Sequence, residues 1–194
     1  MREIKDDIWK YYKMGWSVII PSNAHINKGG EAGTGAGLGS QANRFLKDYA
    51  KMLGACMKQQ GNRVYYFEQA RVITFPTKKH WRDKSDLALI KESCLQLQKL
   101  MEEMPNLKVV MPKVGCGFGR LKWSKVKSMI AKYFGKYSED RFLIVDNNQG
   151  ATKEYLKDNP NNLVDMHDKT SKVMFEDADY RTNQGDSDNA KIAE

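Results

Sequence analysis

Residues 111–123 read MPKVGCGFGRLKW, a hydrophobic strand running into a turn in which Gly115, Gly117 and Gly119 alternate, with a helix predicted from about Ser124. Glycines at this spacing leave backbone N–H groups unobstructed, and a following helix N-terminus adds partial positive charge, so the arrangement favours a phosphate. The same alternation also serves tight strand-to-helix turns that bind nothing, so the turn carries weight only with other features. A second loop, PSNAHINKGGEAGTGAGL over residues 21–38, places five glycines between Gly29 and Gly37 and also leads into a predicted helix. A third segment, TFPTKKHWR over residues 74–82, puts the Lys78 amine and the His80 imidazole after a strand, where either could act as nucleophile, acid or base. A Lys-Lys-His cluster is equally at home in a solvated basic turn. Near the N-terminus Asp7, beside Ile8, closes another candidate strand and could accept hydrogen bonds from an adenine amino group.

The elements that must position these groups are legible as short apolar runs alternating with amphipathic stretches. Candidate strands are 4–8, 17–20, 64–67, 72–75, 109–111 and 142–145. Leu38, Ala42, Phe45, Tyr49 and Leu53 form one apolar stripe at helical spacing. Leu87, Ile90, Cys94, Leu97 and Met101 form a second, and Val126, Ile130, Tyr133 and Phe134 a third. Alternation of this kind predicts an α/β layered domain. Pro76 is expected to end its strand and turn Lys78 into a loop at the same sheet edge as the two glycine loops. Two phosphate-friendly loops at one carboxyl edge point to a diphosphate lying between them. Neither loop has the spacing of a dinucleotide fingerprint or of a P-loop.

With 194 residues the chain suits one domain, residues 1–146, followed by an extension, 147–194, expected to be partly disordered. The extension carries six Lys/Arg against ten Asp/Glu, a balance of −4, so the overall +8 leaves +12 on the first 146 residues. A basic surface of that kind attracts polyanions and steers phosphorylated ligands, which makes nucleic acid a reasonable partner. No apolar run is long enough to cross a bilayer and the N-terminal MREIKDDIWK has no signal-peptide core, so the expected location is cytoplasmic, away from membranes. The three cysteines and three histidines stand at no disulfide-framework or metal-ligand spacing, so no metal and no cofactor is expected.

Taken together, Asp7-Ile8, Asn23 with residues 30–41, residues 75–81 and residues 110–123 resemble the macrodomain family of ADP-ribose binders. The likeness is to the branch that contains the DarTG antitoxin and the terminal ADP-ribose protein glycohydrolase. The Pro-Thr-Lys-Lys-His-Trp loop and the Pro-x-x-Gly-Cys-Gly-x-x-x-Leu-x-Trp loop carry it, and the match spans roughly the first 146 residues. The resemblance implies a three-layer α/β/α domain with a mixed central sheet of about six strands, and a cleft for ADP-ribose at its carboxyl edge. It implies that Asp7 and Ile8 receive the adenine. Gly115, Cys116, Gly117, Phe118 and Gly119 would cradle the diphosphate, Asn23, Gly35, Ala36, Gly37 and Leu38 would surround the distal ribose, and Thr77 and Val114 would add further contacts to ADP-ribose. Lys78 matches the lysine to which the branch assigns catalysis, with His80 as a reserve acid or base.

Two departures shape the expected chemistry. The first loop has Thr34-Gly35-Ala36-Gly37 where related sequences often have Met-Gly-x-Gly. In the second, Gly119 stands where the glutamate-specific hydrolases of the branch carry an acid. The resulting expectation is an ADP-ribosyl hydrolase working through Lys78, with DNA favoured over protein as the modified macromolecule and the protein acting as a monomer. The alternatives are a binder or sponge that holds ADP-ribose or a related signalling nucleotide unchanged, and a phosphatase acting on ADP-ribose 1″-phosphate. Freeing an ordinary lysine amine at neutral pH costs about 4 to 5 kcal/mol, so the site must lower the Lys78 pKa. Lys79, Arg82 and Lys113 are the like charges the sequence offers for that purpose.

Overall fold

The computed structural model describes residues 1–147 and the pair 164–165. The expected disorder of the extension falls on residues outside those described. A six-stranded sheet forms the centre. Its strands are β1 (Arg2–Asp6), β2 (Ser17–Asn23), β4 (Tyr66–Phe67), β5 (Val72–Lys78), β6 (Val109–Pro112) and β7 (Phe142–Asn147), in the spatial order β1-β7-β6-β2-β5-β4. All pairs are parallel except β4 with β5, which makes the sheet mixed. The helices are α1 (Ile8–Lys13), α2 (Leu38–Phe45), α3 (Tyr49–Gln60), α4 (Leu87–Glu103) and α5 (Trp123–Phe134). A separate two-residue pair joins β3 (Leu46–Lys47) in parallel to β8 (Val164–Asp165).

Period-two alternation along the central strands sends their side chains into two cores. Val18 and Ile20 face one cluster with Phe45, Tyr49 and Leu53, whereas Ile19 faces the other with Ile90, Leu97 and Ile130. The sheet is therefore covered on both faces, the arrangement that parallel strands require. Connections from the two central strands leave in opposite directions. β2 leads through α2 and α3 to β5 on one side, and β6 leads through α5 to β7 on the other. The β2–β6 ladder covers only Ser17↔Val109 and Val18↔Val110. Beyond it the two carboxyl ends release their loops toward opposite faces, which is the switch point where open α/β sheets bind ligands.

Four sequence expectations need correction. The first strand ends at Asp6 instead of including Ile8. Asp7 is the N-cap of α1, its Oδ1 accepting from the Trp9 N–H at 3.1 Å, and Ile8 opens that helix in the core. A short polar side chain beside the next helical amides outcompetes continuation of the strand. The stripe from Leu38 to Leu53 is two helices, because Asp48 adopts a left-handed conformation, φ 62°, after the extended pair Leu46–Lys47. The 64–67 run supplies only the two-residue strand Tyr66–Phe67. Finally, Pro76 does not end β5, which continues to Lys78. Thr74 donates its N–H to Tyr65 O, and residue 76, two positions on, faces the same side, beyond the end of the short β4 ladder. Proline is tolerated there because no ladder bond is asked of it.

Candidate functional site

One cleft of about 1100 Å³ lies at the carboxyl ends of β2, β5, β6 and β7. Its two walls are the glycine loops. The first is braced from within. Asn27 O accepts from Gly30 N at 2.9 Å, the Asn27 side chain accepts from Glu31 N at 2.9 Å, and Asn27 N donates to Glu31 O at 2.9 Å. The loop then rests on α3, with Ala32 N donating to Ala50 O at 2.8 Å. Gly54 makes this approach possible, since a Cβ on it would lie 2.1 Å from Gly30 O and 2.9 Å from Ala32 N. Asn23, at the end of β2, clips the loop with its carboxamide, donating to Gly33 O at 2.7 Å and accepting from His25 N at 3.0 Å. From this braced base Thr34, Gly35, Ala36 and Gly37 extend along the cleft to the α2 N-terminus at Leu38.

The second loop folds back on itself. Leu121 N donates to Gly115 O and Arg120 N to Gly117 O, both at 3.0 Å, with Gly115 at φ 75° and Arg120 at φ 57°. Ser85 N holds the loop from below by donating to Gly119 O at 2.9 Å. Gly119 has no space for a side chain, because a Cβ would sit 2.2 Å from Ser85 Oγ and 2.3 Å from Gly115 O. The missing acid at this position is thus built into the loop conformation. Gly117, by contrast, faces open space.

Lys78 stands at the end of β5 between these loops. Its ammonium donates to Phe118 O at 2.9 Å and to Trp81 O at 3.4 Å. Partial burial, reinforced by the nearby Arg120 guanidinium, holds its pKa below the ordinary lysine range, and Asp83 offsets part of that effect. The like charge is therefore Arg120, not the Lys79, Arg82 or Lys113 that the sequence suggested. Lys113 is bound to Glu3 and to Asp146, each at 2.8 Å, and its own pKa is raised by those partners. Thr77, buried one residue before Lys78, donates its hydroxyl to Ser22 O at 3.3 Å and accepts Asp86 N at its carbonyl, which fixes the backbone that carries the lysine.

Of the residues singled out from the sequence, Asn23, Gly35, Ala36, Gly37, Leu38, Thr77, Lys78, Gly115, Cys116, Gly117, Phe118 and Gly119 line the cleft. Four do not. Ile8 and Val114 are buried in the two cores, and Asp7 is only 6% exposed with Oδ1 committed to its helix cap. His80 is not among the lining residues; its ring lies 5.2 Å from that of His25 and 5.6 Å from that of Trp81, and its Nδ1 accepts Arg82 N at 3.3 Å. Asp146, Arg120, Ser85 and Trp81 line the cleft without having been singled out for it. Asp146 was within reach of sequence reasoning, since it directly follows the predicted strand 142–145 and so had to emerge at the same carboxyl edge. Among the described residues no group of three or more His, Cys, Asp or Glu gathers to hold a metal, and no helix is long and apolar enough to cross a membrane.

Fold and cleft together define a doubly wound α/β domain with a glycine-walled groove at its switch point, lined by four cationic side chains, Lys78, Arg82, Lys113 and Arg120, and by Asp146. Residues 33–130 match the Macro domain, and the chain belongs to the Macro domain family. It is similar to the DNA ADP-ribosyl glycohydrolase of Mycobacterium tuberculosis (strain ATCC 25618 / H37Rv), at 38% identity over 63 residues, covering 32% of this chain and 18% of that protein. To the protein of the same name from Thermus aquaticus (strain ATCC BAA-2747 / Y51MC23) it is 29% identical over 120 residues, covering 57% and 33%. The match thus spans a third or less of these curated relatives. Among solved structures, the macrodomain of Thermus aquaticus DarG superposes with a TM-score of 0.59 at 22% identity, covering 76% of this chain and 97% of that one. Thermosipho africanus DarTG in complex with ADP-ribose gives a TM-score of 0.55 at 20% identity, covering 67% and 38%. At these identities the structural likeness establishes the three-layer fold.

Proposed function

We propose that this chain binds ADP-ribose and hydrolyses the glycosidic bond that joins an ADP-ribosyl group to DNA. The observation that carries the proposal is the placement of a lysine with a depressed pKa between two glycine loops at a sheet switch point. The names of the relatives and the basic surface of the domain support the choice of DNA. On this reading the diphosphate lies between the Thr34–Gly37 wall and the Gly115–Gly119 wall, where backbone amides and the α2 N-terminus meet it. The distal ribose then reaches Lys78. The adenine takes the opposite end, where Pro112, Lys113 and Asp146 line the cleft and Asp7 sits beyond the end of neighbouring β1.

Hydrolysis breaks the bond between the anomeric carbon and the base nitrogen, forms a bond from that carbon to water oxygen, and returns a proton to the base. Fixing the diphosphate holds the anomeric carbon at Lys78, so the reaction gains from positioning before any acid or base acts. Lys78 orients the anomeric centre as the base departs, or attacks it to form a carbon–nitrogen bond that water then breaks, releasing ADP-ribose and the free lysine. The ammonium is held by two carbonyls and loses its proton more readily than an ordinary lysine, so the rate is expected to rise with pH toward an inflection below 10.5. The test is release of ADP-ribose from a modified oligonucleotide, with binding followed by calorimetry. Lys78→Ala should lower kcat by about 10² or more while still binding ADP-ribose. Release at the parent rate would remove Lys78 from the mechanism. Recovery of unchanged substrate from the parent protein would leave a binding module.

A further inference from the structure

Two of the four large hydrophobic side chains exposed among the described residues stand together at the mouth of the cleft. Phe118 is 71% exposed and Trp81 45%. They belong to different walls, yet Lys78 Nζ joins their backbones by donating to the carbonyl of each. Arg82 lies over the Trp81 ring, its guanidinium carbon 4.7 Å from the ring centroid. Lys79, Lys84 and Arg120, each two or three positions along the chain from one of the two rings, are exposed, with Asp83 the acid among them. The stretch Lys78–Lys84 alone carries four cationic side chains against that single carboxylate.

An apolar ring kept in water by a stacked arginine and bordered by lysines suits a flat, apolar group attached to a phosphate chain. Core packing does not explain it, since neither side chain belongs to a hydrophobic cluster. An acidic peptide would use the charges but leave both rings unpaired. A nucleobase has a π-face for each ring, and its backbone meets the cations.

We propose that Trp81 and Phe118 form a stacking platform for unpaired DNA bases flanking the modified nucleotide, with Arg82, Lys79, Lys84 and Arg120 holding the adjoining phosphates. The assignment deepens the hydrolase reading and rests on it for the identity of the central nucleotide. Single strands are selected because bases inside a duplex present no face to the rings. Since the same lysine touches both platform carbonyls, a strand seated on the rings also sets the mouth of the site.

The surface can be tested without turnover. A fluorescent, unmodified 12-nucleotide oligothymidine should bind the parent protein, more weakly as salt rises, and more tightly than either its duplex or a poly-glutamate chain of equal charge. Trp81→Ala should weaken that binding by about 5- to 150-fold, whereas Trp81→Phe should retain most of it. Equal affinity for duplex or poly-glutamate, an undiminished Trp81→Ala variant, or no binding by the parent would each overturn the platform. The parallel assay is cleavage of an ADP-ribosylated single nucleotide against the same nucleotide within a 12-mer. The platform predicts a higher kcat/KM for the 12-mer and a smaller ratio in Trp81→Ala; equal values in the parent would overturn it. Cleavage of neither substrate, with oligothymidine binding intact, would sink the hydrolase reading alone.

Discussion

Replacing Gly54 with alanine pits two effects of opposite sign, and the structure decides between them. Gly54 lies inside α3 and is buried, so helix propensity alone predicts that alanine stabilises the helix by about 1 kcal/mol. The added Cβ, however, would lie 2.1 Å from Gly30 O, 2.9 Å from Ala32 N and 3.0 Å from Glu31 Cα. All three are loop backbone, which cannot swing aside as a side chain would. Relief to ordinary contact needs a shift of more than about 1 Å in a loop already bonded to α3 through Ala32 N and Ala50 O. Overpacking against unyielding backbone costs about 2 to 3 kcal/mol, the upper part of the usual range, so the net effect is a loss of about 1 to 2 kcal/mol. In a domain of this length that lowers Tm by roughly 2 to 8 °C. The same displacement moves Thr34–Gly37, and ADP-ribose affinity is expected to fall about tenfold although Gly54 lies outside the cleft lining. Thermal denaturation and calorimetry with ADP-ribose measure the two effects. A Gly54→Ala protein more stable than the parent, with unchanged affinity, would refute the account of how the first wall is held.

Glu3 ties β1 to the rest of the domain, accepting from Lys113 and Lys127 at 2.8 Å each and from Trp123 Nε1 at 3.1 Å, and these partners lower its pKa to about 2. A depressed carboxylate contributes stability above its unfolded pKa and loses it as pH falls through the folded value. Glu3→Gln is therefore expected to cost about 1 to 2 kcal/mol at pH 7, after discount for partial exposure, with the difference from the parent shrinking between about pH 4.5 and 2 in denaturant titrations. Asp7→Ala should lose about 0.5 to 2 kcal/mol of stability through the α1 cap. Asp146→Ala should weaken ADP-ribose binding more than it lowers Tm; the reverse ranking in calorimetry would return the adenine contact to Asp7.

What the sequence made legible was the part governed by local rules. Alternating apolar runs located every central strand at least in part, and the glycine spacing located both walls. The positions that escaped depend on tertiary competition. Asp7 reads equally as a strand end or a cap until the following amides are seen to need an acceptor. The break lies in the middle of an unbroken helical stripe, where the extended pair Leu46–Lys47 and the left-handed Asp48 separate α2 from α3. Arg120 escaped because proximity to Lys78 is a matter of loop folding, and Lys113 misled because its neutralising partners, Glu3 and Asp146, come from the first and last strands of the central sheet in chain order.

The two walls of the cleft lean on different hydrophobic clusters. The first presses against α3, and the second is packed through Gly115 onto Ile90 of α4 and Leu121, across the sheet. On the proposed reading, a ligand spanning them would work as a tie rod between walls that rest on opposite faces of the sheet. Its affinity then gauges the spacing of those walls, so any substitution that changes the thickness of either core is transmitted to the cleft without touching it. Tolerance to mutation in this domain should accordingly be narrower for binding than for folding.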